Sequence, residues 1–250
     1  MADTASQGGG RVSGQRRGDV VAGLRNGVLL GLAVAVLALP VGKPLKASVA
    51  PIAALQPPAM AQAEFGTAAV SPDARRIADW VAASRDNHGL PFAILDKRGA
   101  RAYVFDAGAR LVGSSLVLLG SAVGDESVAG IGERRLADVL PEERTTAAGR
   151  FQSEPGHDEN GEAVVWVDYE AALAMHRVKV IDPREHRLER IATEAIDDKF
   201  ITNGCINLPI KFFDTVVEPR LGHSAAIVYV LPQAKSLEQV FPDAFAAAGR

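Results

Sequence analysis

The only cysteine in the 250-residue chain, Cys205, lies in the stretch Phe200-Ile201-Thr202-Asn203-Gly204-Cys205-Ile206-Asn207-Leu208-Pro209, behind a glycine and between polar residues. A free thiol has a reference pKa of ~8.5, so only a few per cent is thiolate at neutral pH. Nucleophilic use therefore needs a base or an electropositive setting. The competing reading is a small buried hydrophobe, which is what a lone cysteine most often is. Gly204 favours the chemical reading, because a residue without a Cβ lets backbone approach a substrate. The N–H groups around Gly204 and Cys205 are candidates for an oxyanion hole, with a helix expected to begin near Pro209.

Five histidines could supply the base. His88 stands in an Asn-His-Gly helix stop, His157 in the polar loop around Gly156-His157-Asp158, and His223 after a Leu-Gly turn; all three read as solvated or structural. His176 ends the apolar strand segment Ala172-Leu173-Ala174-Met175-His176, where a rigid element would hold its ring still. His186 lies among charges in Pro183-Arg184-Glu185-His186-Arg187. His176 precedes Cys205 by 29 residues and His186 by 19, so spacing favours the second and strand context the first.

These residues must be positioned by a domain expected over 64–250. Ser71-Pro72-Asp73 offers an N-cap and a first-turn proline, and Ile77, Trp80 and Val81 recur at helical spacing, so an amphipathic helix is expected at 73–85. Residues 91–96 and 101–106 alternate around a Gly-containing turn as a β-hairpin, and 110–119 extends it into a meander. Loops are expected to dominate 124–161, apart from a short helix near 134–140. Strands are expected at 163–169, 171–178 and 225–231, and a helix at 211–217. The fold class is mainly β with helices.

The N-terminal region reads differently. A polar, arginine-containing stretch precedes the apolar run Val28 to Leu39, the pattern of an export signal. Twelve residues give about 18 Å of helix, short of a ~30 Å hydrocarbon layer, although 26–42 is an uncharged window that leaves a membrane anchor as the alternative. Residues 1–47 are thus an export signal or short anchor, and the Ala/Pro-rich 48–63 a linker. Residues 1–63 hold six basic and two acidic side chains, so of 27 basic and 30 acidic residues the 64–250 domain keeps 21 and 28, a net charge of −7. That balance disfavours nucleic acid as a partner. An exported chain meets an oxidising compartment, where one cysteine cannot close an internal disulfide and an unpaired thiol needs a use.

Thr202-Asn203-Gly204-Cys205-Ile206-Asn207, with His176 upstream, resembles the signature of the L,D-transpeptidase (YkuD-type) catalytic domain: a strand histidine, then Ser/Thr-His-Gly-Cys, an apolar residue and commonly Arg or Asn. The hairpin from Phe92 through Leu111 and the segment Thr145 to Phe151 also resemble that family, so the likeness spans about 91–231. Asn203 replaces the motif histidine, Arg177 the glycine that often follows the base, and Ala147 a usual proline. The residues from Ile181 to Lys199 read as an insertion between the two motifs.

The resemblance implies a β-sandwich with a helix after the cysteine motif, and a cysteine-dependent acyl transfer on peptidoglycan stem peptides in the periplasm or cell envelope. Cys205 would be the nucleophile and His176 the base, with Thr202, Asn203, Gly204 and Asn207 shaping the site. Arg177 and Arg187 are candidates for the substrate's carboxylates, together with Arg184 and Arg190, against the alternative of a solvated charged segment. No cofactor or metal is implied, and the spacing holds no metal-ligand pattern. A catalytically weakened wall-binding scaffold and an envelope thiol peptidase or carboxypeptidase are the alternatives. Oligomeric state is not legible.

Overall fold

The computed structural model describes residues 61–246. The expected signal or anchor at 1–47, and all but the last three residues of the expected linker, lie outside the described residues. No helix among the described residues is long and apolar enough to cross a membrane.

Helix α1 (Pro72–Ser84) starts where expected: the Ser71 side chain accepts from Ala74 N, and Arg85 closes the helix in the left-handed region. It is followed by β1 (Phe92–Asp96), β2 (Arg101–Phe105), β3 (Leu111–Leu116) and the two-residue β4 (Leu119–Gly120). Then come β5 (Gly149–His157), β6 (Ala163–Asp168) and β7 (Leu173–Arg177). A short helix α2 (Arg187–Ala192), β8 (Phe200–Thr202) and β9 (Ile206–Leu208) lead to a helical segment over 210–221 that contains a π turn, and then to β10 (Ala226–Val230).

Eight strands form one mixed sheet in the order β3-β2-β1-β10-β5-β6-β7-β9. β5 joins its halves: Gly149 to Ser153 pair with β10, and Glu154 to His157 pair with β6. Beyond β9, Asn207 pairs with Leu118, just past the opposite edge strand, so the sheet nearly closes on itself. Closure leaves few free edges. Strand alternation sorts the apolar residues into two cores. Ala93, Leu95, Val104, Val165, Met175 and Phe213 pack inside, whereas Phe92, Ile94, Tyr103 and Tyr229 pack outward against Ile77 and Val81 of α1. The mainly β architecture with an N-terminal amphipathic helix is therefore as the sequence patterns imply.

Two local expectations differ. The 124–161 region contains the nine-residue β5, whose Gly149, Pro155 and Gly156 hide its strand character; neighbours on both sides supply the ladder that propensity does not. The helix expected at 134–140 is a series of 3-10 turns, Ile131–Glu133, Leu136–Asp138 and Pro141–Glu143. The helix expected near Pro209 does begin there, at Ile210, with the short strand β9 lying between it and Cys205.

Candidate active site

Parallel pairing of β7 with β9 sets His176 opposite Asn207. Cys205 sits one residue before β9, so a strand on each side of the motif limits where its side chain can go. Cys205 and His176 line one cavity of about 660 Å³, together with Trp166, Tyr169, Ala172 and Lys179. Leu136 and Gly132, from the 3-10 turns, also line it.

The imidazole is fixed by chemistry at both nitrogens. His176 Nδ1 lies 2.7 Å from the carbonyl oxygen of Arg177, which can only accept, so Nδ1 carries the proton and Nε2 holds the lone pair. The Asn207 amide nitrogen stands 3.1 Å from Nε2. Its orientation is set from behind, because Asn207 Oδ1 accepts from Arg187 Nη1 at 3.2 Å and a guanidinium only donates. Arg187 is buried and also donates to Glu185 at 2.6 Å. A chain of contacts thus runs Glu185, Arg187, Asn207, His176.

The thiol of Cys205, a half-buried residue, donates to Ala172 O at 3.3 Å rather than to the imidazole. Ala172, in the β6–β7 turn, holds a left-handed conformation at φ 50°. Burial pushes the thiol up from its ordinary value, against the opposing pull of the Ala174 N–H and the Arg187 charge. Burial also pushes His176 down; Lys179 and Arg187 add to that, while the Arg177 carbonyl and Asp158 oppose it. In the free protein the pair is therefore a neutral thiol beside a neutral imidazole.

The loop before Cys205 is tied on three sides. Thr202 Oγ1 donates to Cys205 O at 2.7 Å and accepts from Gly204 N at 3.2 Å. Thr146 Oγ1 donates to Gly204 O at 2.7 Å and accepts from Gly120 N at 2.9 Å. Thr146 is anchored by Lys97, whose ammonium donates to Thr146 O at 2.6 Å and pairs with Asp125 at 2.7 Å, both side chains being buried. Of the two N–H groups expected to form an oxyanion hole, Gly204 N is thus engaged by Thr202. Cys205 N–H has no protein acceptor among the described residues.

The remaining residues expected at the site fall into different settings. Asn203 is half-buried, and its side chain makes no hydrogen bond among the described residues. His186 does not line the cavity; its side chain is 67% exposed beside Glu189. Arg177 points away from His176, paired with Asp214 at 2.6 Å and Glu218 at 2.9 Å and stacked over Phe213. Arg187 is not on a solvated face but buried behind Asn207, so neither arginine presents a free guanidinium to a substrate carboxylate. Arg184 is exposed and pairs with Asp182, and Arg190 donates to Glu185 O. Sequence reasoning missed Lys97, Asp125 and Thr146. Lys97 sits in a hairpin turn where a solvated lysine is the default, and nothing local signals its burial.

No family model matches the chain, and no curated protein does. Solved structures similar to it include the helical cell shape determining protein Pgp2 of Campylobacter jejuni, 15% identical over 58% of this chain and 49% of that one, with a TM-score of 0.38. The catalytic domain of the Enterococcus faecium L,D-transpeptidase is 13% identical over 56% of this chain and 95% of that one, with a TM-score of 0.31. An L,D-transpeptidase of Stackebrandtia nassauensis is 11% identical over 67% of this chain and 70% of that one, with a TM-score of 0.32. The chain spans about half the length of the Pgp2 chain.

Proposed function

We propose that this chain is a cysteine-dependent L,D-transpeptidase of the cell envelope, acting on peptidoglycan stem peptides. The observation that carries the reading is that Cys205 and His176 line one cavity, with the His176 tautomer set so that Nε2 holds the basic lone pair. When a substrate enters, Asn207 gives up Nε2, which takes the thiol proton. The thiolate attacks the carbonyl between the third and fourth stem residues, and the oxyanion forms near Cys205 N–H. Collapse breaks the C–N bond, and the departing D-Ala amine takes the proton from His176, leaving a thioester on Cys205. An amine of a second stem, or water, loses a proton to His176 and attacks that carbonyl. The C–S bond breaks, and the sulfur recovers its proton.

The resting geometry favours one second reading, a stem-peptide-binding protein with a silent thiol. The thiol donates to Ala172 O, and Asn207 occupies the lone pair of the base. Intact mass after exposure to a carbapenem, with Cys205→Ala as control, separates the two. A single adduct absent from the control is expected. An unmodified native chain overturns the transpeptidase reading in favour of the binding protein, and an adduct without cross-linking of muropeptides points to a thiol peptidase.

A further inference from the structure

One of the chain's two tryptophans stands on the outer face of the sheet. Trp166 alternates with the inward-facing Val165 and Val167, so its indole emerges on the side away from the core. Its cross-strand partners are Glu154 on β5 and Ala174 on β7. Further along β5, Gly156 leaves the space the indole fills, because a Cβ there would lie 2.5 Å from Trp166 Cδ1 and Nε1. The ring is therefore laid across the strand, with its outer side partly open to solvent. Tyr169 stands against it, ring centroids 5.1 Å apart and planes at 72°, and is 75% exposed. Floor and wall together make an aromatic corner.

That corner belongs to two cavities. One is the cavity of Cys205, and the other, about 610 Å³, runs along β5 and β6 past Gln152, Glu154 and Asp168. The side chains of Gln152 and Glu154 are exposed and make no hydrogen bond among the described residues, and Asp168 uses one oxygen to accept from Ala171 N. A flat apolar ring, an upright phenol and a rim of unengaged acceptors and amides suit a ligand with one apolar C–H face and hydroxyl or amide groups around its edge. Pyranose rings have that form.

We propose that Trp166 and Tyr169 form a glycan subsite that seats the sugar strand bearing the stem peptide, beside the cavity that holds its scissile bond. The inference rests on the peptidoglycan reading for the identity of the glycan, but the site is tested without the thiol. The probe is a β-1,4-linked N-acetylglucosamine tetramer, titrated calorimetrically into the full chain and followed by fluorescence in a Trp80→Phe background, where Trp166 is the sole tryptophan. Saturable binding with a change in Trp166 emission is expected. Tyr169→Ala and Trp166→Ala should each weaken it about tenfold, the scale of one aromatic contact. Tyr169→Ala guards against misfolding, since that exposed ring supports no core. His186→Ala, at an exposed side chain outside both cavities, should bind the tetramer as the native chain does. No binding by the native chain, or equal binding by both aromatic variants, overturns the subsite and leaves the carbapenem result to judge the thiol. Sugar binding without a carbapenem adduct keeps the subsite and removes the transpeptidase.

Discussion

The Asn207 amide nitrogen lies 3.1 Å from His176 Nε2, on the lone pair a base must use, while the Cys205 thiol donates elsewhere, to Ala172 O. With burial pushing the thiol up from its ordinary value and the imidazole down from its own, the two groups hold no ion pair at neutral pH. Thiolate forms as pH rises, so alkylation of Cys205 by iodoacetamide should accelerate throughout the neutral range and level off only above pH 9. Imidazolium forms as pH falls, so the His176 ring signals should titrate below 6.5. An alkylation plateau already present at about pH 7 would contradict the neutral pair.

Exchanging the amide for a carboxylate tests the contact chain directly. In Asn207→Asp one oxygen still accepts from Arg187, and the other would face Nε2 as an anion. An opposite charge at hydrogen-bond distance raises an imidazole by about one to three units. The His176 titration should move up across neutral pH, and the thiol should move up as well, because the new anion disfavours thiolate and offsets the Arg187 charge. Ring titration by NMR reads the first shift and the alkylation profile the second; an unmoved imidazole would mean that Asn207 does not address Nε2.

The Lys97–Asp125 pair holds Thr146, and through it Gly204. Burial alone would raise the Asp125 carboxyl, but the Lys97 ammonium and the N–H groups of Gln233 and Lys235 outweigh it and hold it at about 2, against 3.8 when unfolded. The folded value is the lower one, so this stabilisation is complete above about 3.8 and is lost as pH falls through about 2. Asp125→Asn leaves Lys97 buried without its anion, which costs about 3 kcal/mol or more and lowers the melting temperature by roughly 10 °C. Urea denaturation from about pH 2 to 7 should show the native chain gaining more stability than the variant between about pH 2 and 4.

The mainly β architecture was legible because its strands carry their own signals. Ala93 and Leu95 alternate with Phe92 and Ile94, and Ser71 and Pro72 mark the start of α1. β5 was not, since a strand with partners on both sides tolerates Gly149, Pro155 and Gly156 that no local rule would place there. At the site, Cys205 stands out by residue type and His176 by its strand context, whereas spacing favours His186 and Asn207 enters only through the resemblance to the family signature. The meeting of His176 with Asn207 depends on β7–β9 register, which acts across a long interval and leaves no mark at either end. Arg187 illustrates the same limit: among the charges of its segment, nothing local separates the one buried behind Asn207 from its exposed neighbour Arg184. Burial is decided by what packs on the segment, not by the segment.

Gly204 is where these constraints converge on Cys205. Its φ of 128° lies in a region that side-chain-bearing residues rarely adopt, and a Cβ would stand 2.9 Å from Thr145 O. That oxygen cannot retreat freely, because the next residue is clamped by Lys97 at its carbonyl and by Gly120 and Gly204 at its hydroxyl. Gly204→Ala must therefore move the Cys205 side of the turn, at a backbone cost of about 1–3 kcal/mol. The melting temperature should fall by roughly 4–8 °C, and carbapenem acylation of Cys205 by about tenfold or more at a temperature where the variant remains folded. Cysteine alkylation in denaturant should match the native chain, which assigns the loss to placement of the thiol and not to its chemistry. Native-like acylation with only a stability loss would show that Cys205 tolerates a displaced loop.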